Sequence, residues 1–158
     1  MDTEAKRELY RQVDTQLGAL LDGQIDAVAT MASCCSLLHE ALPYASWTGF
    51  YRVVGPELLR IGPYQGPVGC LEIPFGDGVC GTAAAREATQ VVADVHAFEG
   101  HIACDPRARS EIVVPVRDAA GRLAAVLDVD SHETGAFDDA DREGLERLAA
   151  RLSRHLGA

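Results

Sequence analysis

Five cysteines carry the most reactive side-chain chemistry in this chain of 158 residues. An odd number cannot pair completely within one chain, and no two of them form the C-x-x-C unit of zinc ribbons and dithiol redox motifs. Each is therefore an inert core residue or an active thiol. Cys34 and Cys35 fall in a helical segment, with Cys35 on its apolar face. The other three are Cys70, Cys80 and Cys104.

Cys104 lies in the polar segment GHIACD, which has the character of a loop. Loops carry functional residues more often than buried elements do. A protonated His101 would favour the thiolate of Cys104, whereas the carboxylate of Asp105 would oppose it. A metal site could draw on four side chains of this region, His96, His101, Cys104 and Asp105. Their spacing matches no common ligand set, so we expect no metal site.

The glycine-rich segment GPVGCLEIPFGDGVCGT begins four residues before Cys70 and ends two residues after Cys80. It contains no lysine and does not match the phosphate-loop pattern G-x-x-x-x-G-K-[ST]. A structural turn is therefore the favoured interpretation. Its notable feature is the cysteine near each end.

Three carboxylates form a second candidate group. Asp128 and Asp130 are two apart in the strand-like segment LDVDS, so they share one face, and Glu111 begins another such segment. If these strands pair, the three carboxyls converge at one end of a sheet. A solvated face is the alternative, but Asp128 stands between Leu127 and Val129, where an unpaired charge is costly. Such a pocket suits an ammonium group and can keep one carboxyl protonated.

Two aromatic residues, Trp47 and Tyr51, are four apart in the strand-like segment WTGFY. On a strand they share one face with Gly49. Core packing is the ordinary role of such residues. The alternative is a wall that receives the apolar end of a ligand.

The elements that must position these residues change along the chain from helical to strand-like periodicity. Leucines at three- and four-residue steps predict helices at both ends, and short β-branched runs with turns predict an antiparallel sheet, hence an α+β fold. The first helix could break at Gly18 or Gly23, and Asp22 or Asp26 could cap the second. Asp138 resembles an N-cap. The predicted helices span 4–22, 25–42 and 138–156, and the Ala-rich part of PFGDGVCGTAAAREAT predicts one internal helix. The predicted strands span 47–54, 57–63, 71–73, 90–95, 111–117 and 123–130, in one domain over 1–158.

The composition excludes several classes of partner. The formal net charge of −10 argues against nucleic acid and anionic membranes, which both require clustered basic residues. The first residues, MDTEAKRELY, lack the apolar run of a secretory signal, and no stretch is long and apolar enough to predict a transmembrane helix. We therefore expect a cytoplasmic protein whose thiols are kept reduced.

Seven segments stand in the order WTGFY, GPYQGPVGC, GVCGTAA, VADVHAF, GHIACD, SEIVVPV and VLDVDS. Together they resemble the free methionine-(R)-sulfoxide reductases, which are stand-alone GAF domains. The resemblance covers about residues 44–134. It implies a six-stranded antiparallel sheet flanked by N- and C-terminal helices, and reduction of free L-methionine-(R)-sulfoxide rather than of the residue within proteins. Pro67 departs from the family, which often has lysine there.

The resemblance also implies roles for the candidate residues. Cys104 matches the catalytic cysteine, Cys70 the resolving one, and Cys80 a second resolving or structural thiol. The carboxylates match positions that bind substrate and supply protons, and the aromatic pair matches a pocket for the substrate methyl group. The substrate-binding positions are Trp47, Tyr51, Glu111, Asp128 and Asp130.

The implied cycle passes through a sulfenic acid and an intramolecular disulfide, which thioredoxin or another external dithiol reduces. It requires no metal and no bound cofactor. By analogy with the fold, the terminal helices are expected to form a homodimer. Two alternatives remain open at this point: a GAF domain that binds a small ligand as a sensor, and a dimerisation module without catalysis.

Overall fold

Four helices and six strands make up the described part of the chain, residues 1–23 and 26–157 of a computed structural model. A single turn of 3-10 helix covers Val95–Ala97. The helices are α1 (Thr3–Leu20), α2 (Ala27–Ala41), α3 (Gly78–Arg86) and α4 (Asp139–Leu152). The strands are β1 (Trp47–Gly55), β2 (Leu58–Gln65), β3 (Glu72–Pro74), β4 (Gln90–Val92), β5 (Ser110–Arg117) and β6 (Leu123–Ser131).

The six strands form one sheet in the order β3-β2-β1-β6-β5-β4, and every neighbouring pair is antiparallel. This confirms the predicted α+β class and six-stranded sheet. The strands β1 and β6 occupy the centre, where Gly49 pairs with Asp128. On the other side of β6, Glu111 of β5 pairs with Asp130. The register therefore brings the three carboxylates predicted to converge onto two adjacent strands.

Strand alternation divides the core into two layers. Phe50 of β1 and Leu127 of β6 face α1, α2 and α4, which cover one side of the sheet. Tyr51 and Val126, their chain neighbours, face the opposite side, where the buried residues of α3 pack against them. Because side chains of a strand alternate in direction, the acidic residues at even positions of β6 lie on the α3 side with Val126. The candidate site is on that side.

Helix ends follow the capping residues in the sequence. Asp26, not Asp22, caps α2 by accepting a hydrogen bond of 2.8 Å from the backbone N–H of Ala29. Asp138 is the N-cap of α4, as predicted, and forms a capping box with Asp141. The helix α1 continues through Gly18 and ends before Gly23, which has a φ of +71°. The predicted start of α2, Ile25, lies outside the described residues.

Two predicted elements are shorter in the structure. The helix α4 ends at Leu152 rather than at residue 156, although Leu156 still packs in the core. Strand β4 ends at Val92 rather than at residue 95, because Asp94 caps the 3-10 turn that follows.

Within the described residues, no helix combines the length and apolar character needed to cross a membrane.

A buried polar cluster joins the two terminal helices. Lys6 of α1 donates hydrogen bonds to Asp141 of α4 at 2.6 Å and to the carbonyl of Ala136 at 2.7 Å. The hydroxyls of Tyr10 and Tyr44 both donate to Oδ1 of Asp141, at 2.9 and 2.5 Å. Because the charge and its donors are all satisfied, the cluster fixes α1 against α4 without an unpaired buried group.

Candidate active site

A cleft of about 520 Å³, including the space open to solvent, lies on the α3 side of the sheet. Its walls come from β1, from the start of α3, and from the loops that precede β3 and β5. Seven of the eight candidate site residues line the cleft. The eighth, Cys70, forms a disulfide with Cys104, which lines it. The lining candidates are Trp47, Tyr51, Cys80, Cys104, Glu111, Asp128 and Asp130.

The three carboxylates form the floor of this cleft. Glu111 is 7% exposed and Asp128 5%, while Asp130 is partly exposed. Oδ1 of Asp128 is buried without a hydrogen-bond partner in the described structure. A buried group of acceptors with too few donors binds a cation or retains a proton.

Burial is the main cause that raises the pKa of each of these carboxyls. The charge of Asp128 raises the pKa of Glu111 further, and the charge of Asp130 acts in the same way on Asp128. The pKa of Asp130 is raised by burial and then by the charge of Glu111. The cluster therefore keeps at least one proton well above the pH at which an exposed carboxyl ionises. It can act as a general acid.

Cys80 is a protonated thiol directed at this floor. Its Sγ donates to Oδ2 of Asp128 at 3.3 Å and lies 3.9 Å from Oε1 of Glu111. Burial, followed by the charges of Asp128 and Glu111, raises the pKa of Cys80 well above its ordinary value. A thiol with so small a thiolate fraction is a poor nucleophile. The Cys80 thiol is held by Asp128 at the floor of the cleft.

Cys70 and Cys104 are joined by a disulfide, with 5.4 Å between their Cα atoms. It links the connection between β2 and β3 to the loop before β5, so it closes one side of the cleft entrance. Among the described cysteines, Cys34, Cys35 and Cys80 are free. Burial raises the pKa of Cys34, and raises that of Cys35 to about 12, as expected for inert thiols between α2 and the sheet.

A third aromatic ring supports the two that line the cleft. Trp47 stacks on Tyr51 at 5.8 Å between ring centroids and on Tyr64 of β2 at 5.2 Å. Gly49 makes this possible, because a Cβ there would lie 2.4 Å from Tyr64 Cβ and 2.5 Å from the indole. The indole Nε1 donates to the carbonyl of Pro67 at 2.9 Å, which fixes the segment leading to Cys70.

His101, which the sequence suggested as a metal ligand or as a charged neighbour of Cys104, lines the cleft. Its Nε2 lies 3.7 Å from Oε2 of Glu111, and burial lowers its pKa, so the neutral imidazole predominates at pH 7. Its place in GHIACD, three residues before Cys104, is the sequence feature that could have identified it as a cleft residue.

The four residues considered for a metal are not assembled as ligands. Asp105 pairs with Arg107, Cys104 is in the disulfide, and the exposed His96 lies beside Asp94. A different group could hold a metal ion: ligand atoms of Cys80, Glu111 and Asp128 all lie within 4.8 Å of one another. This group was not predicted as a metal site.

Comparisons with known proteins agree with the architecture. Residues 7–156 match the family model of the GAF domain. The free methionine-R-sulfoxide reductase of Escherichia coli is 43% identical over 151 residues, which cover 96% of this chain and 90% of that protein. The protein of the same name in Saccharomyces cerevisiae is 40% identical over 155 residues, covering 94% and 86%.

A solved structure gives the same relationship in three dimensions. The X-ray structure of free methionine-R-sulfoxide reductase from Neisseria meningitidis, in complex with its substrate, superposes with a TM-score of 0.91. It is 42% identical and covers 98% of this chain and 90% of that chain. The similarity extends over the whole cleft and both terminal helices, so the chain belongs to the GAF-domain family of free methionine-(R)-sulfoxide reductases.

Proposed function

We propose that this protein reduces free L-methionine-(R)-sulfoxide to L-methionine, with Cys104 as the nucleophile and Cys70 as the resolving thiol. The observation that carries the proposal is the Cys70–Cys104 disulfide at the entrance of a cleft with an acidic floor. One of its two sulfurs lines the cleft beside a group that can supply a proton. The relatives named as free methionine-R-sulfoxide reductases support the same activity.

The substrate is a zwitterion, and its two ends fit different parts of the cleft. Its ammonium group binds the carboxyls of Glu111, Asp128 and Asp130, where buried acceptors lack donors. Its methyl group packs against Trp47 and Tyr51. A methionine sulfoxide within a peptide has no α-ammonium group, so this arrangement selects the free amino acid.

The first chemical step transfers the sulfoxide oxygen to the enzyme. The Cys104 sulfur attacks the sulfoxide sulfur while the oxygen receives a proton from the carboxyl cluster. The S–O bond of the substrate breaks and the hydroxyl passes to the Cys104 sulfur as the bond between the two sulfurs breaks, so methionine leaves and Cys104 becomes a sulfenic acid. The sulfoxide sulfur gains two electrons and the Cys104 sulfur loses two, so no further co-reactant is needed.

Cys70 then condenses with the sulfenic acid and releases water. Cys80 is the less suitable partner, because its buried thiol is held by Asp128 and its pKa is raised. Thioredoxin or another external dithiol returns both cysteines to thiols by exchange. The proposal requires neither a metal nor a bound cofactor. A cytoplasmic location and a homodimer formed by α1 and α4 remain predictions, and light scattering after gel filtration tests the latter.

The proposal is tested by methionine release from the separated R and S epimers of free methionine sulfoxide, with excess dithiothreitol. We expect turnover of the R epimer alone and its loss in Cys104→Ser. Cys34→Ala is the matched control, because it removes a cysteine on the other face of the sheet. N-acetylated substrate should react far more slowly. If the folded, reduced protein turns over neither epimer, the activity is refuted and a ligand-binding GAF domain without catalysis takes its place.

A further inference from the structure

Large apolar side chains are exposed around the Cys70–Cys104 disulfide. Val68 is 77% exposed, Leu71 70% and Ile102 36%. They are three of the seven large apolar side chains that are exposed within the described residues. Single exposed apolar residues are ordinary, but a group of them beside a reactive centre indicates an interaction site.

Covalent geometry keeps these three side chains close to the disulfide. Leu71 follows Cys70 directly, so their Cα atoms are about 3.8 Å apart. Val68 precedes Cys70 by two residues, and Ile102 precedes Cys104 by two, which limits each Cα separation to about 7 Å. Val68 and Ile102 also line the cleft, whereas Leu71 lies outside it.

The same surface is free of charge at its centre. The segment from Gln65 to Leu71 contains no charged residue, in a chain with a net charge of −10. At its edge, Glu72 is paired with Arg60 at 2.6 Å. On the other side of the disulfide, the charge of Asp105 is likewise paired. An apolar centre surrounded by polar groups is the usual anatomy of a protein interface.

We propose that Val68, Leu71 and Ile102 form the docking surface for a protein dithiol that reduces the Cys70–Cys104 disulfide. This inference rests on the proposed function, in which the disulfide must be reduced once in every turnover. Among possible partners, a dithiol protein with an apolar surface beside its reactive thiol fits best. Such a protein can approach the disulfide without desolvating a charged side chain.

The reaction at this surface is a thiol–disulfide exchange. A thiolate of the partner attacks one sulfur of the disulfide and forms a mixed disulfide, which releases the other cysteine as a thiol. The second thiol of the partner then displaces the remaining cysteine. Two electrons and two protons pass to Cys70 and Cys104, and the partner becomes a disulfide. A small dithiol performs the same exchange without needing the apolar surface.

The test measures the second-order rate constant for reduction of the isolated oxidised protein, without sulfoxide, by reduced thioredoxin and by dithiothreitol. In Leu71→Ser we expect the thioredoxin rate constant to fall at least about fivefold, as for an important interface residue. The dithiothreitol rate constant should stay within about twofold. Leu20→Ser is the matched control, since Leu20 is 58% exposed at the end of α1. Neither of its rate constants should change.

Val68→Ser provides a second variant of the same surface for the thioredoxin measurement. The proposal is overturned if thioredoxin does not reduce the wild-type disulfide, if thioredoxin reduces Leu71→Ser and wild type equally fast, or if both reductants slow in parallel. Because no sulfoxide is present, these outcomes do not depend on the activity. Sulfoxide turnover with dithiothreitol is measured separately, and its absence would refute the proposed function alone.

Discussion

Replacing Asp128 by asparagine is expected to stabilise the fold at neutral and alkaline pH while it disrupts the site. The folded pKa of Asp128 is raised by burial and then by the charge of Asp130. Between the unfolded pKa of about 3.9 and the raised folded value, the folded chain binds more protons than the unfolded chain. The free energy of unfolding therefore falls as pH rises through this interval. Asp128→Asn removes that loss.

The size of the effect follows from what the carboxylate lacks. Oδ1 of Asp128 is buried without a partner, and such a group costs about 1–3 kcal/mol. An asparagine oxygen can still accept the bond from the Cys80 thiol, and loss of the charge relieves Glu111, whose pKa Asp128 raises. We therefore expect Asp128→Asn to be more stable by about 1–3 kcal/mol near pH 8, and equal to wild type near pH 4.

The assay is urea unfolding of the oxidised wild type and variant across this pH range. For a domain of this size, each kcal/mol of difference in the free energy of unfolding corresponds to about 2–4 °C in Tm. Asp118→Asn is the control, since it removes the same charge from a partly buried carboxylate in the turn between β5 and β6. Hydrogen bonds from Arg122, the backbone one first, lower the pKa of Asp118, so this variant should lose stability as pH rises. A stability difference for Asp128→Asn that is unfavourable at pH 8, or independent of pH, would refute the reasoning.

Three further predictions concern the core and the buried thiol. Lys6→Met should lower the free energy of unfolding by about 3–5 kcal/mol in urea unfolding, because it leaves the fully buried Asp141 without its cation; a change below 1 kcal/mol would contradict this. Gly144→Ala should lower the free energy of unfolding by about 1–3 kcal/mol, because the new Cβ would lie 2.2 Å from the Tyr10 ring. Unchanged stability would contradict this close packing of α1 against α4. In the reduced protein, iodoacetamide should label Cys80 only after unfolding, as mass spectrometry of its peptide can show; rapid labelling of the folded protein would contradict the assigned burial.

The carboxylate cluster could be predicted because it depends on strand alternation and on the pairing of two strands. Asp128 and Asp130 share a face in any strand, and Glu111 begins the segment that pairs with theirs. Their convergence required only that β5 and β6 be neighbours. The cap at Asp138 was predictable for a similar reason, since capping depends on residues within one turn, and Asp26 was one of two candidates for the cap of α2.

The disulfide and the full cleft lining could not be derived from spacing. Cys70 and Cys80 bracket the same glycine-rich segment, and only the resemblance favoured Cys70 as the partner of Cys104. The fold separates them, because Cys80 enters α3 and points at the floor while Cys70 stays in the preceding connection. Tyr64 stacks on Trp47 through the pairing of β2 with β1, a long-range contact that no local pattern encodes.

The central claim is that Cys104 takes the oxygen and Cys70 resolves it. The most direct test mixes fully reduced enzyme, freed of reductant, with methionine-(R)-sulfoxide and measures both methionine and the cysteine peptides by mass spectrometry. The account predicts about one methionine per chain and a Cys70–Cys104 disulfide. In Cys70→Ser it predicts the same methionine yield with a sulfenic acid trapped on Cys104. A disulfide that contains Cys80, or methionine formed while Cys104 remains a thiol, would contradict it.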